Sequence, residues 1–531
     1  MDCNSTSLPY EQIGFFSRII VDYLKESDQL KPFYQHPASL DGLRESVAAR
    51  KNFPTDRKKL VEVLGRQYAL AGPSEKVMAN IARLRDENTF TIVTAHQPNI
   101  FTGYLYFIYK ILHVIRLADL LHKEIPGCSF VPVFYMGSED ADLDELGNIS
   151  MNGEKIVWDT KQKGAVGRMK TKGLEKIISR IEGELAVWPF GNKLITLLKE
   201  CYQGDTDVQS ATFKLVHALF KEYGLVILLP DNADLKRSMF KIFEDDLLNQ
   251  RPSTIVEETI GKLSAIYQVQ ANPREINLFY LRDDIRERIV KVGDSWKVVG
   301  HDIRFTEVEL RQELQEHPER FSPNVILRGL YQETLLPNIA FIGGGGETAY
   351  WLELKALFTF YQVPFPVLIL RNSFLFIDKD WQARIRKLHI DTPDLFKEER
   401  LLVQDLVNRD STNQLQLSSE IAEATLFYDR VKAVAEQTDV TLSGHVEALK
   451  TRAVKLLSQL EKKMLKAETR KFQDQQRQIQ TIKNKLFPQN GLQERVDNFM
   501  PYYAKYGPEF IKTLYEHSPA LEKNFVVLTE K

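Results

Sequence analysis

Five carboxylates fall within seven residues directly after an apolar run: Glu139, Asp140, Asp142, Asp144 and Glu145. Like charges packed together raise the free energy unless something cationic offsets them. A substrate amine, a magnesium ion, nearby lysines and arginines, or plain solvent exposure can each do so. The spacing begins like a calcium loop, but such a loop needs glycine where this chain has Glu145. We favour a functional acidic loop without a metal site of its own.

A second polar segment runs from His96 to Gly103, between a predicted strand and a predicted helix. Short polar side chains and backbone N–H groups at a helix start can hold an anion. His96 can stabilise charge on a phosphate or act as a general acid or base. Alternatively, Asn99 or Thr102 only caps the helix. The anion-binding candidates of this segment are Gln97, Asn99, Thr102 and Gly103.

Four consecutive glycines, Gly343, Gly344, Gly345 and Gly346, precede Glu347 between a strand and a helix. Consecutive glycines cost backbone entropy on folding, which suggests that something must approach the backbone closely. The run fits neither a dinucleotide fingerprint nor a phosphate loop, because the glycine spacing and the Gly-Lys-Ser/Thr ending are missing. We favour a turn that binds an oxyanion or a carboxylate. A tight strand–helix crossing is the alternative.

Other common kinds of catalytic and metal centre find no support in the sequence. No Ser/His/Asp or Cys/His order for a nucleophile emerges. His113 and His122 are nine residues apart, which is not the spacing of a zinc pair on a helix. The three cysteines, Cys3, Cys128 and Cys201, form no CxxC pair, which fits a reducing cytosol.

The overall composition is that of an ordinary globular protein. Seventy basic and 72 acidic residues give a formal charge of −2, so no electrostatic signal for nucleic acid follows. The first residues lack the charged start and apolar stretch of a signal peptide. No uncharged apolar run approaches the roughly 18 residues of a membrane span. We expect a cytoplasmic protein with no nucleic-acid or membrane partner.

The polar segments follow short apolar runs that predict the strands of a parallel sheet. These runs are residues 90–94, 130–136, 225–229, 338–342 and 367–370. Helical stretches at 104–122 and 348–361 complete strand–loop–helix–strand units. Because ligands bind at the carboxyl ends of parallel strands, we expect the polar segments to meet there.

The chain of 531 residues is too long for one hydrophobic core, so we expect several units. The predicted order is a helical segment at 1–85, an α/β core at 86–395, a helical coiled-coil arm at 396–490, and a helical segment at 491–531 that packs back on the core. Insertions interrupt the core at about 150–215 and 250–320. The second alternates like antiparallel strands, with a turn at Gly293-Asp294.

From about residue 415, apolar residues recur at spacings of three and four, which is typical of a coiled coil. The pattern breaks at 438–444 and then resumes, which predicts an antiparallel hairpin of two helices. The second arm, 447–485, holds 11 Lys/Arg against 4 Asp/Glu, a formal charge of +7. That charge fits a solvated face, phosphate binding, or pairing with acidic surface in a dimer.

Four stretches, in this order, resemble the bacillithiol biosynthesis cysteine-adding enzyme family. They are residues 94–110 (TAHQPNIFTGYLYFIYK), 131–145 (VPVFYMGSEDADLDE), 322–355 (SPNVILRGLYQETLLPNIAFIGGGGETAYWLELK) and 486–498 (LFPQNGLQERVDN). The chain length and the coiled-coil arm agree as well, so the resemblance covers nearly the whole chain. Departures are His96 in place of the usual glutamine, Ala141 in place of histidine, and Gly345 in place of proline.

The resemblance implies a Rossmann-like core similar to class I aminoacyl-tRNA synthetases and nucleotidylyltransferases, and a homodimer supported by the coiled coil. It implies a ligase that condenses the carboxylate of L-cysteine with the amine of glucosaminyl malate. A carboxylate is a poor electrophile, so the ligation needs an activated form of it. An adenine nucleotide (ATP or ADP) with magnesium is one candidate source of that activation.

The resemblance also implies roles for the polar segments. The attacking amine must be neutral, so the catalytic candidates are His96 and three carboxylates that orient an ammonium or a metal and supply a base: Glu139, Asp140 and Asp142. The glycine turn and the segment after His96 are expected to bind phosphate or carboxylate. Arg328 and Arg371 are expected to fork onto the malyl carboxylates, with surface ion pairs as the alternative. The other binding candidates are Asn324, Glu347, Tyr350 and Trp351; for the last two, core packing is the alternative.

Two other functions stay open at the level of sequence. A different carboxylate-activating or nucleotidyl-transferring enzyme can use the same core, since one fold hosts many chemistries. A non-catalytic coiled-coil scaffold is the second, although a scaffold has no evident use for an acidic loop and a four-glycine turn.

Overall fold

The structure is a computed structural model that describes residues 1–69, 72 and 74–531. The chain forms two compact units, Met1–Leu375 with Gly491–Leu528, and Phe376–Asn490 with Thr529–Lys531. The strands, in chain order, are β1 (Cys3–Pro9), β2 (Thr89–His96), β3 (Ser129–Met136), β4 (Asn148–Met151), β5 (Glu154–Val157), β6 (Val226–Leu228), β7 (Leu278–Arg282), β8 (Ile285–Val292), β9 (Ser295–Val298), β10 (Arg304–Thr306), β11 (Phe321–Pro323), β12 (Asn338–Gly343), β13 (Val367–Leu370), β14 (Phe374–Ile377) and β15 (Asn524–Glu530). Within the described ranges, no helix is long and apolar enough to cross a lipid bilayer.

A five-stranded parallel sheet, ordered β13-β12-β2-β3-β6, forms the centre of the first unit. Every residue of β2 and β12 is buried, and most are apolar or β-branched, as in strands covered on both faces. The parallel sheet predicted from the sequence is confirmed. The five predicted strands differ from the observed ones by no more than about two residues at either end.

Helices pack on this sheet and bury its apolar faces. Leu43 of helix Leu40–Lys51 and Leu117 of helix Tyr106–Glu124 share one core cluster with Ile92 of β2. The single helix predicted at 348–361 is wrong, because the structure has two helices, Gly345–Trp351 and Lys355–Phe360. The chain turns between them, where the buried carboxylate of Glu353 accepts hydrogen bonds from the backbone N–H groups of Gln270 and Ala271.

The N-terminal segment is helical apart from one strand. Its main helices are Arg18–Leu24, Leu40–Lys51, Arg57–Tyr68 and Glu75–Arg83. The sequence did not predict β1, because its run of Asn, Ser and Thr lacks the apolar alternation of a half-buried strand. Pairing with β15 places β1 in a sheet, and β15 is likewise a strand in a segment predicted to be helical.

The segments between the core strands carry further elements. Residues 148–220 contain the β4–β5 hairpin and helices Leu174–Leu185, Gly191–Tyr202 and Val208–Phe220. After β6 come helices Ala233–Lys236, Phe240–Asn249 and Arg251–Leu263, then an antiparallel sheet ordered β10-β9-β8-β7-β11, with helices Glu307–Glu316 and Val325–Leu335. The predicted turn at Gly293-Asp294 joins β8 to β9, and Gly293 has a φ of 60° there. Helices Met500–Tyr506 and Pro508–Glu516 precede β15.

The second unit is helical and contains the hairpin that the sequence predicts. Its helices are Lys379–Lys387, Glu399–Asp410, Ser418–Thr438, Ser443–Thr469 and Gln473–Leu486. Salt bridges join the two long arms, with Lys450 2.7 Å from Asp429 and Lys432 3.2 Å from Glu447. The unit begins at Phe376 rather than near residue 396, because helix Lys379–Lys387 packs on helix Gln473–Leu486.

Asp246 links helix Phe240–Asn249 to the start of the antiparallel sheet. Its fully buried carboxylate accepts hydrogen bonds from the backbone N–H of Asn277 at 2.7 Å and from its side-chain amide at 3.0 Å. Asn277 in turn accepts a hydrogen bond from Asn324 at the start of helix Val325–Leu335. Burial raises the pKa of Asp246 to about 7, and the Asn277 hydrogen bonds offset only part of that effect.

We expect Asp246 to make the free energy of unfolding fall as pH rises from about 4 to 7. The unfolded chain releases this proton near the ordinary pKa of 3.8, whereas the folded chain keeps it up to about 7. The loss is at most about 4 kcal/mol, at roughly 1.4 kcal/mol per pKa unit. Asp246→Asn removes the titrating group, so the stability of the variant relative to the wild type should increase as pH rises across this range. Urea unfolding at pH 4.5, 6 and 8 measures the difference, and parallel pH curves for the two chains would contradict it.

Candidate functional site

A cavity of about 350 Å³ opens at the carboxyl edge of the parallel sheet. Residues from the loops after β2, β3, β12 and β13 line it, as does Pro230 after β6. Loops of parallel strands converge at this edge, which is where open α/β sheets bind their ligands. The structure therefore brings together the acidic loop, the segment from His96 and the glycine turn.

Glu139 lies on one side of the cavity with only 8% of its surface exposed. One of its oxygens contacts the fully buried ammonium of Lys236, and the other accepts a hydrogen bond from Ser322 Oγ at 3.4 Å. Asp231 lies 3.8 Å from the same ammonium. Arg168 holds Asp231 through two hydrogen bonds of 2.7 Å. Two buried carboxylates thus share one lysine.

The pKa values of these two carboxylates shift in opposite directions. Burial raises the pKa of Glu139, and the charge of Lys236 offsets only part of the shift. Burial also opposes ionisation of Asp231, yet the hydrogen bonds from Arg168 bring its pKa below the ordinary value. When the pKa values of two neighbouring carboxyl groups are shifted apart, one group can carry a proton while the other stays charged. Glu139 is therefore the carboxyl suited to exchange a proton.

Asp140 holds the acidic loop against neighbouring segments. Its carboxylate accepts hydrogen bonds from Gln97 Nε2 at 3.2 Å and from the N–H of Ala141 at 2.7 Å. Arg286 of β8 approaches it to 3.8 Å and covers the ring of Phe279 at 4.1 Å. These contacts fix the acidic loop relative to the loop after β2.

Lys110 joins the glycine turn to the end of β2. Its buried ammonium donates hydrogen bonds to the carbonyl of Ala95 and to Glu347 Oε2, both at 2.6 Å. The same oxygen of Glu347 accepts the N–H of Gly344 at 2.8 Å. Charge-assisted hydrogen bonds of this kind are about twice as strong as neutral ones, so they fix the conformation of the turn.

Packing requires only the first of the four glycines. A Cβ added to Gly343 would lie 2.8 Å from the ring of Phe341, whereas at Gly344, Gly345 and Gly346 it would meet nothing closer than 3.4 Å. These last three have no positive φ, so conformation does not require glycine either. All three line the cavity. Their missing side chains let a ligand reach the backbone, which favours the anion-binding turn over a tight crossing.

The two predicted arginines differ in how they are paired. Arg328 donates to the phenol oxygen of Tyr350, and its buried Nη1 has no hydrogen-bond partner within the described residues. The Arg371 guanidinium instead forms a 2.8 Å ion pair with Glu494, and both side chains are buried. Arg328 thus offers an unused donor to a ligand, whereas the charge of Arg371 is already balanced.

His96 lines the cavity between these groups and is 8% exposed. Burial and the charges of Lys110, Arg371 and Arg328 bring its pKa well below the ordinary value. Its Nε2 has no hydrogen-bond partner among the described residues. These surroundings favour a neutral imidazole at neutral pH, so His96 can hydrogen-bond a ligand but is poorly suited to act as a general acid.

Two family models together cover almost the whole chain. Residues 1–372 match the model for the bacillithiol biosynthesis BshC, N-terminal Rossmann-like domain, and residues 374–530 match the model for the bacillithiol biosynthesis BshC, C-terminal coiled-coil domain. The chain belongs to the BshC family. The resemblance seen in the sequence, the Rossmann-like core and the coiled-coil region are all confirmed.

Individual members of the family are similar over their full length. A protein of Flavobacterium psychrophilum named "Putative cysteine ligase BshC" is 39% identical over 530 residues, and one of the same name from Flavobacterium johnsoniae is 38% identical over 530 residues. Each alignment covers 99% of both chains. A structure titled as a putative arginyl-tRNA synthetase from Campylobacter jejuni has a TM-score of 0.22 and 11% identity over 83% of this chain and 98% of that one, too low for any inference about a synthetase-like core.

Most of the site residues predicted from the sequence of this BshC-family chain do line the cavity. They are His96, Gln97, Glu139, Asp140, Asn324, Arg328, Gly344, Gly345, Gly346, Glu347, Tyr350 and Arg371. Gly343 ends β12 just before the turn and is packed against Phe341.

Two predicted site residues have structural positions instead. Trp351 is fully buried and stacks on Phe341 with ring centroids 4.5 Å apart, so it belongs to the core and not to the cavity wall. Asp142 is exposed and caps helix Leu143–Leu146 by accepting the N–H of Glu145 at 2.9 Å. Its carboxylate serves the fold of the acidic loop and does not line the cavity.

The rest of the segment after His96 supports the cavity from outside. Asn99, Thr102 and Gly103 do not line it. Gly103 has a φ of 64°, which favours glycine, and an added Cβ would lie 2.8 Å from Asn99 Cβ. Asn498 donates its side-chain amide to the carbonyl of Phe101 at 3.0 Å, which helps to hold this turn in place.

Several residues of the site were not predicted from the sequence. They are Tyr106, Lys110, Tyr135, Asp231, Lys236, Arg286, Glu494 and Arg495. Three of the family-like stretches contain some of them: Tyr106 lies in the first and Tyr135 in the second. Lys110 ends the first stretch, and Glu494 and Arg495 lie in the last.

We expect Lys236→Met to lower the free energy of unfolding by about 3–5 kcal/mol at pH 8, because it leaves Glu139 and Asp231 buried without their shared cation. The loss should shrink at pH 5, where Glu139 can take up a proton and become neutral. Urea unfolding at both pH values measures this change. The double variant Lys236→Met, Glu139→Gln should recover part of the stability at pH 8, and no recovery would contradict the pairing.

Proposed function

We propose that this chain is a cysteine ligase that forms an amide between the carboxyl group of L-cysteine and the amine of glucosaminyl malate, completing bacillithiol. One observation carries the proposal: a single cavity combines a carboxyl suited to accept a proton, Glu139, with an arginine that has an unused donor, Arg328. The reaction needs both, because the amine must lose a proton and the malyl group is anionic. The relatives named putative cysteine ligase support the cysteine-ligating part of the proposal.

Glu139 is the base in this proposal. An ammonium group becomes a nucleophile only after it loses a proton, and a carboxylate with a raised pKa holds that proton better than an ordinary one. Lys236 and Asp231 keep Glu139 in place and set its charge. Asp140 and Glu145 also line the cavity and add negative charge around the ammonium.

The opposite side of the cavity binds anionic groups in this proposal. Arg328 and Asn324 present donors to the malyl end of the substrate, and the faces of Tyr106, Tyr135 and Tyr350 can cover the sugar ring. Gly344, Gly345 and Gly346 leave room for a phosphate or carboxylate against the backbone. The turn would suit the phosphates of an adenine nucleotide, which with magnesium would supply activation of the cysteine carboxylate. We place the reaction in the cytoplasm, where cysteine thiols stay reduced.

We expect Glu139→Gln to lower kcat by about 10²- to 10⁴-fold, because it keeps the size of the side chain and removes the proton acceptor. The assay combines the purified protein with cysteine, glucosaminyl malate and Mg-ATP, and detects the cysteinyl conjugate by mass spectrometry. Wild-type kcat should fall on the acid side as Glu139 protonates. Asp144→Asn is the matched control, because Asp144 is an exposed carboxylate of the same loop outside the cavity.

Each outcome of this assay has a distinct meaning. Equal turnover by Glu139→Gln and wild type would remove Glu139 from the mechanism. Binding of glucosaminyl malate without any conjugate would indicate a missing donor. Neither binding nor product would favour a different carboxylate-activating enzyme on the same core.

We also propose that the coiled coil joins two copies of the chain. Helix Ser418–Thr438 has no buried residue, and apolar side chains are exposed along both arms of the hairpin. These are Leu426, Phe427, Val434, Leu449, Leu456 and Leu460, with 41–65% of their surface exposed. A second copy would cover an apolar surface of this kind.

Light scattering should therefore give twice the chain mass of 61.3 kDa for the wild type. The double variant Leu426→Glu, Leu456→Glu puts charges on the proposed interface, so the mass should fall toward that of one chain at micromolar concentration. Val308→Glu is the control, because Val308 is 75% exposed in the first unit. A wild-type mass of one chain would exclude the homodimer.

A further inference from the structure

The segment that follows the coiled coil returns to the first unit and ends beside the cavity. It spans residues 491–498, one of the four family-like stretches, and neither the acidic loop nor the glycine turn includes it. The backbone carbonyl of Asp497 accepts a hydrogen bond from the N–H of Leu105 at 2.7 Å, and the side-chain amide of Asn498 donates to the carbonyl of Phe101. The segment is thus fixed to the loop after β2, and Arg495 within it lines the cavity.

Glu494 fixes the same segment to the end of β13. One carboxylate oxygen pairs with Arg371 at 2.8 Å and accepts a hydrogen bond from Ser373 Oγ at 3.1 Å. The other accepts the backbone N–H of Phe374 at 3.1 Å. Glu494 is fully buried, and within the described residues its carboxylate bonds to this loop. Arg371 is therefore neutralised by the protein, and the carboxylate of Glu494 is paired with Arg371 and not with Arg495.

Arg495 is an exposed residue of the cavity lining, and its side chain has no hydrogen bond or ion pair with another side chain in the part of the chain that the structure describes. Desolvation and the charge of Arg371 bring the pKa of Arg495 below the ordinary value, and the charges of Glu494 and Glu347 offset only part of that shift. Around this side of the cavity the described residues place Lys110, Arg328, Arg371 and Arg495 against two carboxylates, Glu347 and Glu494. Lys110 is paired with Glu347 and Arg371 with Glu494, so Arg328 and Arg495 are the two cations of this set without an ion pair to a described residue.

We infer that Arg495, together with Arg328, forms the binding site for a dianionic substrate group, and that Arg371 positions Glu494 instead of contacting the substrate. The inference rests on the proposed function for the identity of that group, the malyl dicarboxylate. Each arginine offers one carboxylate a charge-assisted hydrogen bond. Arg495 is thus a specificity-determining residue supplied by the chain segment beyond the coiled coil.

The test measures binding of glucosaminyl malate and of its dimethyl ester, which keeps the same carbon skeleton but carries two methyl groups in place of the two charges. Isothermal titration on the full-length protein should show wild type binding the diacid much more tightly than the diester. Arg495→Gln should weaken diacid binding by about 10- to 100-fold and leave diester binding nearly unchanged. Arg495→Lys keeps a positive charge but loses the bidentate guanidinium, so its affinity for the diacid should lie between those of the wild type and Arg495→Gln. Arg85→Gln, a change at an exposed position away from the cavity, is the control.

A structural role for Arg495 predicts a different pattern. Because its side chain makes no bond to the described residues and lies near Arg371, Arg495→Gln should melt at the wild-type temperature or slightly above it. A fall in melting temperature with equal losses of diacid and diester binding would overturn the inference. So would an unchanged ratio of diacid to diester affinity in Arg495→Gln.

The inference and the proposed ligase activity can fail separately. If wild type binds the diacid tightly but forms no cysteinyl conjugate, the proposed function fails while the role of Arg495 stands. If wild type makes the conjugate and Arg495→Gln has an unchanged KM for glucosaminyl malate, the role of Arg495 fails alone. If the wild type binds the diacid no more tightly than the diester, the proposed dianion site is wrong.

Discussion

The parallel direction of the central sheet is the constraint on which the rest of the site depends. Because β13, β12, β2, β3 and β6 all run the same way, their following loops end at one edge. Residues more than 200 positions apart, such as His96 and Arg371, then line one cavity. Both faces of the sheet are covered by apolar contacts, so polar side chains are excluded from the faces and lie at the strand ends.

The walls of the cavity differ in charge, and most of the buried charged groups around it form ion pairs with one another. Lys236 pairs with Glu139 and Asp231. Lys110 pairs with Glu347, and Glu494 pairs with Arg371. A buried charge without a partner costs several kcal/mol, so these pairs hold the loops in one arrangement. The same cost makes the groups without a protein partner candidates for ligand binding. An unused donor next to a cavity costs stability unless a ligand takes it up.

The sequence was sufficient to locate the loops of the site but not the partners of their side chains. Short apolar runs followed by polar clusters predicted the parallel strands and placed Glu139, His96 and the glycines at their ends. The role of Lys236 depends on a helix that packs beside the acidic loop, and no local pattern contains that information. Trp351 shows the opposite error, because an aromatic residue after a glycine turn has the same sequence signal whether it faces a ligand or the core. β1 was missed because its Asn, Ser and Thr residues show no apolar alternation. Its partner β15 lies near the other end of the sequence, and no local pattern indicates that the two segments pair.

The first unit is discontinuous, since Gly491–Leu528 belongs to it and is separated from Leu375 by the whole coiled-coil region. Closing so long a loop costs little more entropy than closing a short one, because the cost grows only with the logarithm of its length. The order of synthesis is affected more strongly. A ribosome that has made the first 375 residues has produced every strand of the parallel sheet, yet the carboxylate that neutralises Arg371 has not been translated. Glu494 and Arg495 are made only after the whole helical arm, so the cavity lacks Arg495 and the partner of Arg371 until that arm has been translated.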